Sequence, residues 1–378
     1  MRLIWLTVII LIAYGSLYPF NFDFNRSLPT DLVAWLQNWE QRTIRSDLIA
    51  NILLFIPFGF LGALNIQQDG RRSPLLSAIW LVFMGVGFAL SLQILQFYLP
   101  SRVPHAADAL VNSIGILLGI SVAAYTNSQR IRRLIPQQFQ FHLTPALLVL
   151  CLWLGWAFFP YIPVFETKQI GIGIESVYNS QWYWQDWLKF ILFWLMFYLS
   201  FSRVMNRDYS INVLLVVTIF ILAIKLSMFW SQIGWSEISA VPLAVILHRS
   251  LSGQFKFMMI ALLAALILLL EFVFPFQWIT DLGTLNTIQW IPFKKFLGGS
   301  TWFHLSNLFQ YSLLVTSLGY ALARWFSSYR LAFLFVMLLI LLLSTLQLFL
   351  QGQSPDVTDW ILALVLMTFL ERVDSIRR

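Results

Sequence analysis

Charge is what this chain is shortest of. Only 11% of its 378 residues are charged, against roughly a quarter in a soluble domain, and 59% are hydrophobic. A chain with so little polar surface cannot cover itself in water. Cysteine is nearly missing too. Cys151 stands alone in the apolar run 147–156, which excludes an internal disulfide or a cysteine zinc site and leaves the thiol to packing or lipid contact. No Gly-rich phosphate loop, CxxC pair, HExxH or basic tail occurs, so no metal and no cofactor is expected. The net charge of +7 does not point to nucleic acid, because membrane topology explains where the basic residues fall.

What the chain has in abundance is long apolar runs. Crossing the hydrocarbon core takes about 20 such residues, since each helical residue rises ~1.5 Å. Windows of that kind run approximately 3–20, 48–67, 75–99, 106–125, 143–163, 184–202, 210–230, 236–249, 254–275, 302–323, 331–350 and 356–372. These segments are too long and apolar for barrel strands, and helices satisfy their own backbone in lipid. The expected fold is therefore all-α, a polytopic transmembrane bundle of about twelve helices. Window 236–249 is the weakest, short and holding Pro242, so a re-entrant segment is its alternative. The first window follows only Met1 and Arg2 and lacks a small-residue cleavage site, so it reads as a retained helix.

Orientation follows from the basic loops. With the N-terminus inside, the clusters at 71–72, 130–133, 203–207, 249–256, 324–330 and 372–378 all fall in the cytoplasm. Only Asp69, Asp208, Glu371 and Asp374 join them among the acids. Both termini are thus expected in the cytoplasm, in a multi-pass protein of the plasma (inner) membrane. Trp182, Trp184 and Trp187 gather where the sixth window begins, at the depth where aromatic rings meet headgroups.

Laid on itself, the chain reads as three four-helix units, 1–130, 140–250 and 254–378. Each opens with a helix ending in an aromatic–proline signature, Tyr18-Pro19-Phe20, Phe159-Pro160-Tyr161 and Phe274-Pro275-Phe276. Each carries a polar residue twelve positions before an acid: Gln96 and Asp108, Lys225 and Glu237, Gln347 and Asp359. Asn51 and Asn307 hold equivalent places in the second helices, and the middle unit is the most degraded.

Intramembrane polar groups are costly and mark function by default. In the first unit they fall at helical spacings. Asp47 and Asn51 share a face, as do Asp108 and Asn112, while Gln93 and Gln96 are three apart. If these faces converge, they line a pocket near the outer leaflet, with Arg45, Arg102 and His105 at its mouth. Arg can hold phosphate or carboxylate there through two parallel hydrogen bonds. The competing reading is interhelical glue, worth ~0.6 kcal/mol per contact on average, with Asp108 pairing with Arg102 or capping its own helix. His105 alone reads as a wet loop residue. Lys225 and Glu237 read as a structural ion pair, and His142, His248 and His304 find no partner in sequence. Pro57-Phe58-Gly59 lies inside the second window, where a proline kink is expected to open room beside the polar cluster, the alternative being the ordinary occurrence of Pro and Gly in such helices.

The segments Tyr18-Pro19-Phe20, 47–62 (DLIANILLFIPFGFLG) and 93–119 (QILQFYLPSRVPHAADALVNSIGILLG) resemble the VanZ-like family, named for a protein linked to teicoplanin resistance. Asn51, Pro57, Gly59, Gln96, Arg102, Asp108, Asn112 and Gly115 match the family pattern. The close match covers 3–125 and a fainter one 254–372. Gln93 stands where the pattern has a glutamate. In the third unit Gln353 replaces the arginine and Ala363 the second asparagine. The resemblance implies a cell-envelope membrane protein associated with antibiotic resistance. Its expected partners are membrane lipids and a lipid-linked or cell-wall precursor or a glycopeptide. An enzyme acting on a lipid headgroup or cell-wall precursor is the alternative, with Asp108 as acid or base and Arg102 holding an anion. Without the second acid no catalytic residue is assigned. A transporter or flippase, suggested by the repeats, is a third reading.

Overall fold

A computed structural model describes residues 2–18, 20–26, 45–69, 73–101, 104, 106–127, 144–159, 164, 167–228, 233–280, 285–294 and 301–375. Thirteen helices and no strand lie among them. In chain order they are α1 (Arg2–Leu17), α2 (Arg45–Asp69), α3 (Pro74–Gln96), α4 (Ala106–Asn127), α5 (Pro145–Phe158), α6 (Thr167–Asn179), α7 (Trp184–Val204), α8 (Ile211–Leu226), α9 (Trp235–Ser250), α10 (Gly253–Val273), α11 (Thr301–Trp325), α12 (Tyr329–Gln347) and α13 (Val357–Ser375).

Each of the twelve apolar windows coincides with a helix. The exception, α6, has no window because Thr167, Lys168, Gln169 and Glu175 interrupt a run of only 13 residues. Its Ile172, Ile174 and Tyr178 point outward, while Gly173 sits against Leu226 of α8. Among the described residues five helices are long and apolar enough to cross a membrane, namely α3, most of α4, α7, α10 and α12. Four shorter apolar helices, in α1, α2, α5 and α8, accompany them. α9 runs unbroken through Pro242. α2 likewise runs unbroken through Pro57, and instead of opening room there it packs Gly59 tightly against the Ile116 backbone. Leu75 and Phe83 of α3 and Ile219 and Phe220 of α8 stay largely exposed. Such faces suit lipid and would be a liability in water. The chain is a helical membrane protein.

It divides into two compact units, Met1–Gln140 and Phe141–Arg378. In the first, α2 and α4 make the most intimate pair. A β-carbon on Gly115 would lie 2.3 Å from the Ile52 carbonyl oxygen, one on Gly119 2.3 Å from that of Ile56, and one on Gly59 2.2 Å from that of Ile116. The G-x-x-x-G spacing of Gly115 and Gly119 lets the two backbones touch. Because 115 meets 52 and 119 meets 56, the helices run parallel. α3 runs opposite to α2, with Gly85 against Phe58 and Phe88 stacked on Phe58 at 5.9 Å. α1 closes the unit, its Trp5 indole donating to the Phe58 carbonyl at 3.1 Å.

The second unit is built round α7 and α11. Residues Ile191–Ser200 of α7 are buried throughout, with Trp194 and Phe197 against Trp153 of α5 at 5.1 and 4.4 Å. α11 packs on α5, α10, α12 and α13. Helices of both later stretches, 140–250 and 254–378, share this one core.

Gly115→Ala/Gly119→Ala should lower the thermal unfolding midpoint of the purified protein, since overpacking costs about 1–3 kcal/mol per site. Gly87→Ala, whose β-carbon meets open space, should leave it level or raise it. Equal midpoints for both would refute the tight-contact account.

Candidate ligand site in the first unit

Register alone brings the polar residues of the first unit to one level. The parallel α2–α4 contact sets Asp108 and Asn112 beside the opening turns of α2, which hold Asp47 and Asn51. The antiparallel run of α3 returns Gln93 and Gln96 to the same end. There Gln96 donates from Nε2 to the Ser16 carbonyl of α1 at 2.8 Å. That carbonyl belongs to the last turn of a helix, and the amide that would be its i+4 donor, Phe20, bonds to the Leu17 carbonyl at 2.9 Å instead. Gln96 therefore ties α3 to α1.

Gln93 and Asn112 are not used in this way. Both are buried, at 5% and 4% exposure. The Oε1 of Gln93 and the Oδ1 of Asn112 accept no hydrogen bond among the described residues. Leaving a buried acceptor unmet costs about 1–3 kcal/mol, so simple glue is a poor description of this pair. Asp108 lies half-buried in the first turn of α4, and Asn51 is half-buried on α2. Arg45 and Asp47 sit in the first turn of α2. Arg102 and His105, expected at the mouth, lie outside the described residues.

The mouth is clasped by backbone. Asp23, four residues past Pro19, donates its N–H to the Tyr98 carbonyl at 2.7 Å. Corresponding bonds close the other ends, from Val164 to Ser227 at 2.8 Å and from Ile279 to Phe349 at 2.9 Å. In each case the donor stands four residues after the signature proline and the acceptor two after the polar residue. Phe20 and Phe276, next after Pro19 and Pro275, take the left-handed conformation at φ 63° and 61°. Gln347 donates to the Phe272 carbonyl at 3.1 Å, as Gln96 does to Ser16.

Residues 5–127 match the family model described as VanZ/LLP1. The first unit is VanZ-like. No curated protein and no solved structure matches the chain. The residues matched include the whole polar layer of the VanZ-like unit, from Asp47 to Asn112.

Elsewhere the equivalent positions are occupied differently. Lys225 Nζ lies 2.6 and 2.7 Å from the two carboxylate oxygens of Glu237, and Trp194 donates to the same carboxylate at 3.3 Å. This ion pair is buried, and the Lys225 ammonium lies 5.3 Å from the Trp156 ring centroid. At the end of α12, Ser344 stands where the VanZ-like unit has Gln93, and its hydroxyl accepts from the Trp360 indole at 2.9 Å. No group of three or more His, Cys, Asp or Glu residues arranged for a metal occurs among the described residues. Hydropathy and spacing gave the level of these polar residues; they gave no sign of which amide oxygens would meet no partner among the described residues.

Removing one member of the buried ion pair strands the other. Lys225→Met should destabilise the protein by roughly 3–5 kcal/mol, and adding Glu237→Leu should recover most of the loss. Thermal unfolding of the two variants beside wild type measures it. A double variant no better than the single one would show that the charges do not act as a pair.

Proposed function

We propose that the VanZ-like unit binds a lipid-linked or cell-wall-related ligand, or a glycopeptide, at the polar layer where α1 and α3 end and α2 and α4 begin. The observation that carries this reading is the pair of buried amide oxygens on Gln93 and Asn112 that meet no hydrogen-bond partner among the described residues. A group that donates hydrogen bonds, such as a sugar hydroxyl or an amine, would satisfy both. Arg45 and Arg102 are placed in sequence to hold an anionic part of the same ligand. The protein sits in the plasma membrane with both termini in the cytoplasm, an orientation supported by its basic loops, and the layer then faces outward.

The chain is organised on this reading as three four-helix units of which the first keeps the binding function. The recurring backbone clasp supports that organisation. In the middle unit the polar positions are consumed by the Lys225–Glu237 pair, and in the third Ala363 replaces the second asparagine. These units serve as scaffold. Binding without chemistry is favoured over catalysis because Gln93 stands where a second acid would be required, and acid–base work needs a carboxylate in reach of the proton.

The test is glycopeptide susceptibility in a deletion strain complemented with wild type, Gln93→Leu, Asn112→Leu, Asp108→Asn or Arg102→Ala, at matched membrane abundance. Wild type should restore resistance and each variant should lose it. The two leucine variants should at the same time keep or raise thermal stability, because an unmet buried acceptor has been removed. Full resistance in the leucine variants would sink the proposal.

A further inference from the structure

At the opposite end of the second unit from the Lys225–Glu237 pair, cations gather with little to balance them. α7 ends in Arg203 and Val204, with Arg207 just beyond, and α9 ends in His248, Arg249 and Ser250. α10 opens with Gly253, Gln254, Phe255 and Lys256. Arg203 lies over the Phe257 ring at 6.0 Å, Arg207 over the Tyr209 ring at 5.8 Å, and Arg249 donates to the Tyr209 carbonyl at 3.3 Å. Lys256 donates to the His248 carbonyl at 2.6 Å and lies within electrostatic reach of both Arg203 and Arg249. Asp208 is the acid nearby, and it forms no ion pair among the described residues.

Cations in the last turn of a helix need no special explanation, since the carbonyl end attracts them. Lys256 is different. It stands in the opening turns of α10, where free N–H groups already carry positive charge, and it shares that space with two guanidinium groups. Arg203 makes no hydrogen bond or ion pair among the described residues, so its planar fork of donors is available. His248 adds a separate sign. It is 8% exposed, and its Nδ1 meets no partner among the described residues. The arrangement lacks one component, an anion with several acceptor oxygens.

We propose that this cluster binds an anionic phosphate group, with Arg203, Arg249 and Lys256 supplying the charge. On the expected topology this end lies at the cytoplasmic leaflet, where anionic lipids present such groups and attract basic residues near the surface. The site is distinct from the outward polar layer, and its occupant would anchor the second unit in the membrane.

The test uses the full chain in a neutral detergent, with thermal unfolding read against added dioctanoyl phosphatidylglycerol, dioctanoyl phosphatidylcholine or inorganic phosphate. Phosphatidylglycerol should raise the unfolding midpoint and phosphatidylcholine should not. An equal rise with inorganic phosphate assigns the site to free phosphate, and its lack assigns the lipid headgroup. Arg203→Gln/Arg249→Gln should weaken the half-saturating concentration by about tenfold or more, as expected when charge-assisted contacts are lost. Arg203→Lys/Arg249→Lys should keep a response, because the charge remains. If the double glutamine variant does not fold, Arg203→Gln alone serves, since among the described residues its guanidinium makes no hydrogen bond or ion pair and contacts only the Phe257 ring. No response in wild type, an equal response to phosphatidylcholine, or an unchanged response in the glutamine variant would overturn the proposal.

Discussion

The contact between α2 and α4 sets the terms for the rest of the first unit. Two helices whose carbonyls approach the missing β-carbons of Gly59, Gly115 and Gly119 at 2.2–2.3 Å cannot slide or rotate past one another. In lipid the hydrophobic effect does not drive helices together, so close van der Waals packing of this kind carries the association. Register follows from it. Once Gly115 is fixed at Ile52, the level of Asn112 relative to Asn51 is fixed as well, and α3 fills the groove through Gly85 and Phe88.

The polar layer is therefore held by packing at a distance from it. Gln96 helps by tying α3 to α1 through the Ser16 carbonyl. Gln93 and Asn112 are buried there, and one amide oxygen of each meets no partner among the described residues. The Lys225–Glu237 end of the second unit shows a contrasting arrangement. There Lys225, Glu237 and Trp194 satisfy each other in a closed network.

Much of this was legible in the chain itself. Twelve apolar windows coincide with helices because a spanning helix must be apolar over most of its length, and nothing short of that suffices. α6 escaped the same test because it is short and only half apolar. The level of the polar layer was legible from three- and four-residue spacings, since those fix a face. The unmet oxygens were not, because hydrogen-bond supply depends on neighbours from other helices. Gly115-Ile116-Leu117-Leu118-Gly119 carried a packing signal in its spacing alone, yet Gly115 entered the sequence reading only as a match to the family pattern. His248 seemed partnerless in sequence because its neighbours Tyr198, Asp208 and Lys256 come from other segments.

The parallel course of α2 and α4 has an electrical consequence. Two helices that start at the same end present two sets of free N–H groups side by side, each equivalent to roughly half a positive charge. The carbonyl ends of α1 and α3 lie at the same level and carry the opposite partial charge, so the positive field is local to the α2–α4 seam. Asp47 and Asp108, each in a first turn, sit where such a field favours negative charge. The seam between the two helices is thus already supplied with acidic residues by the chain itself, one from each helix.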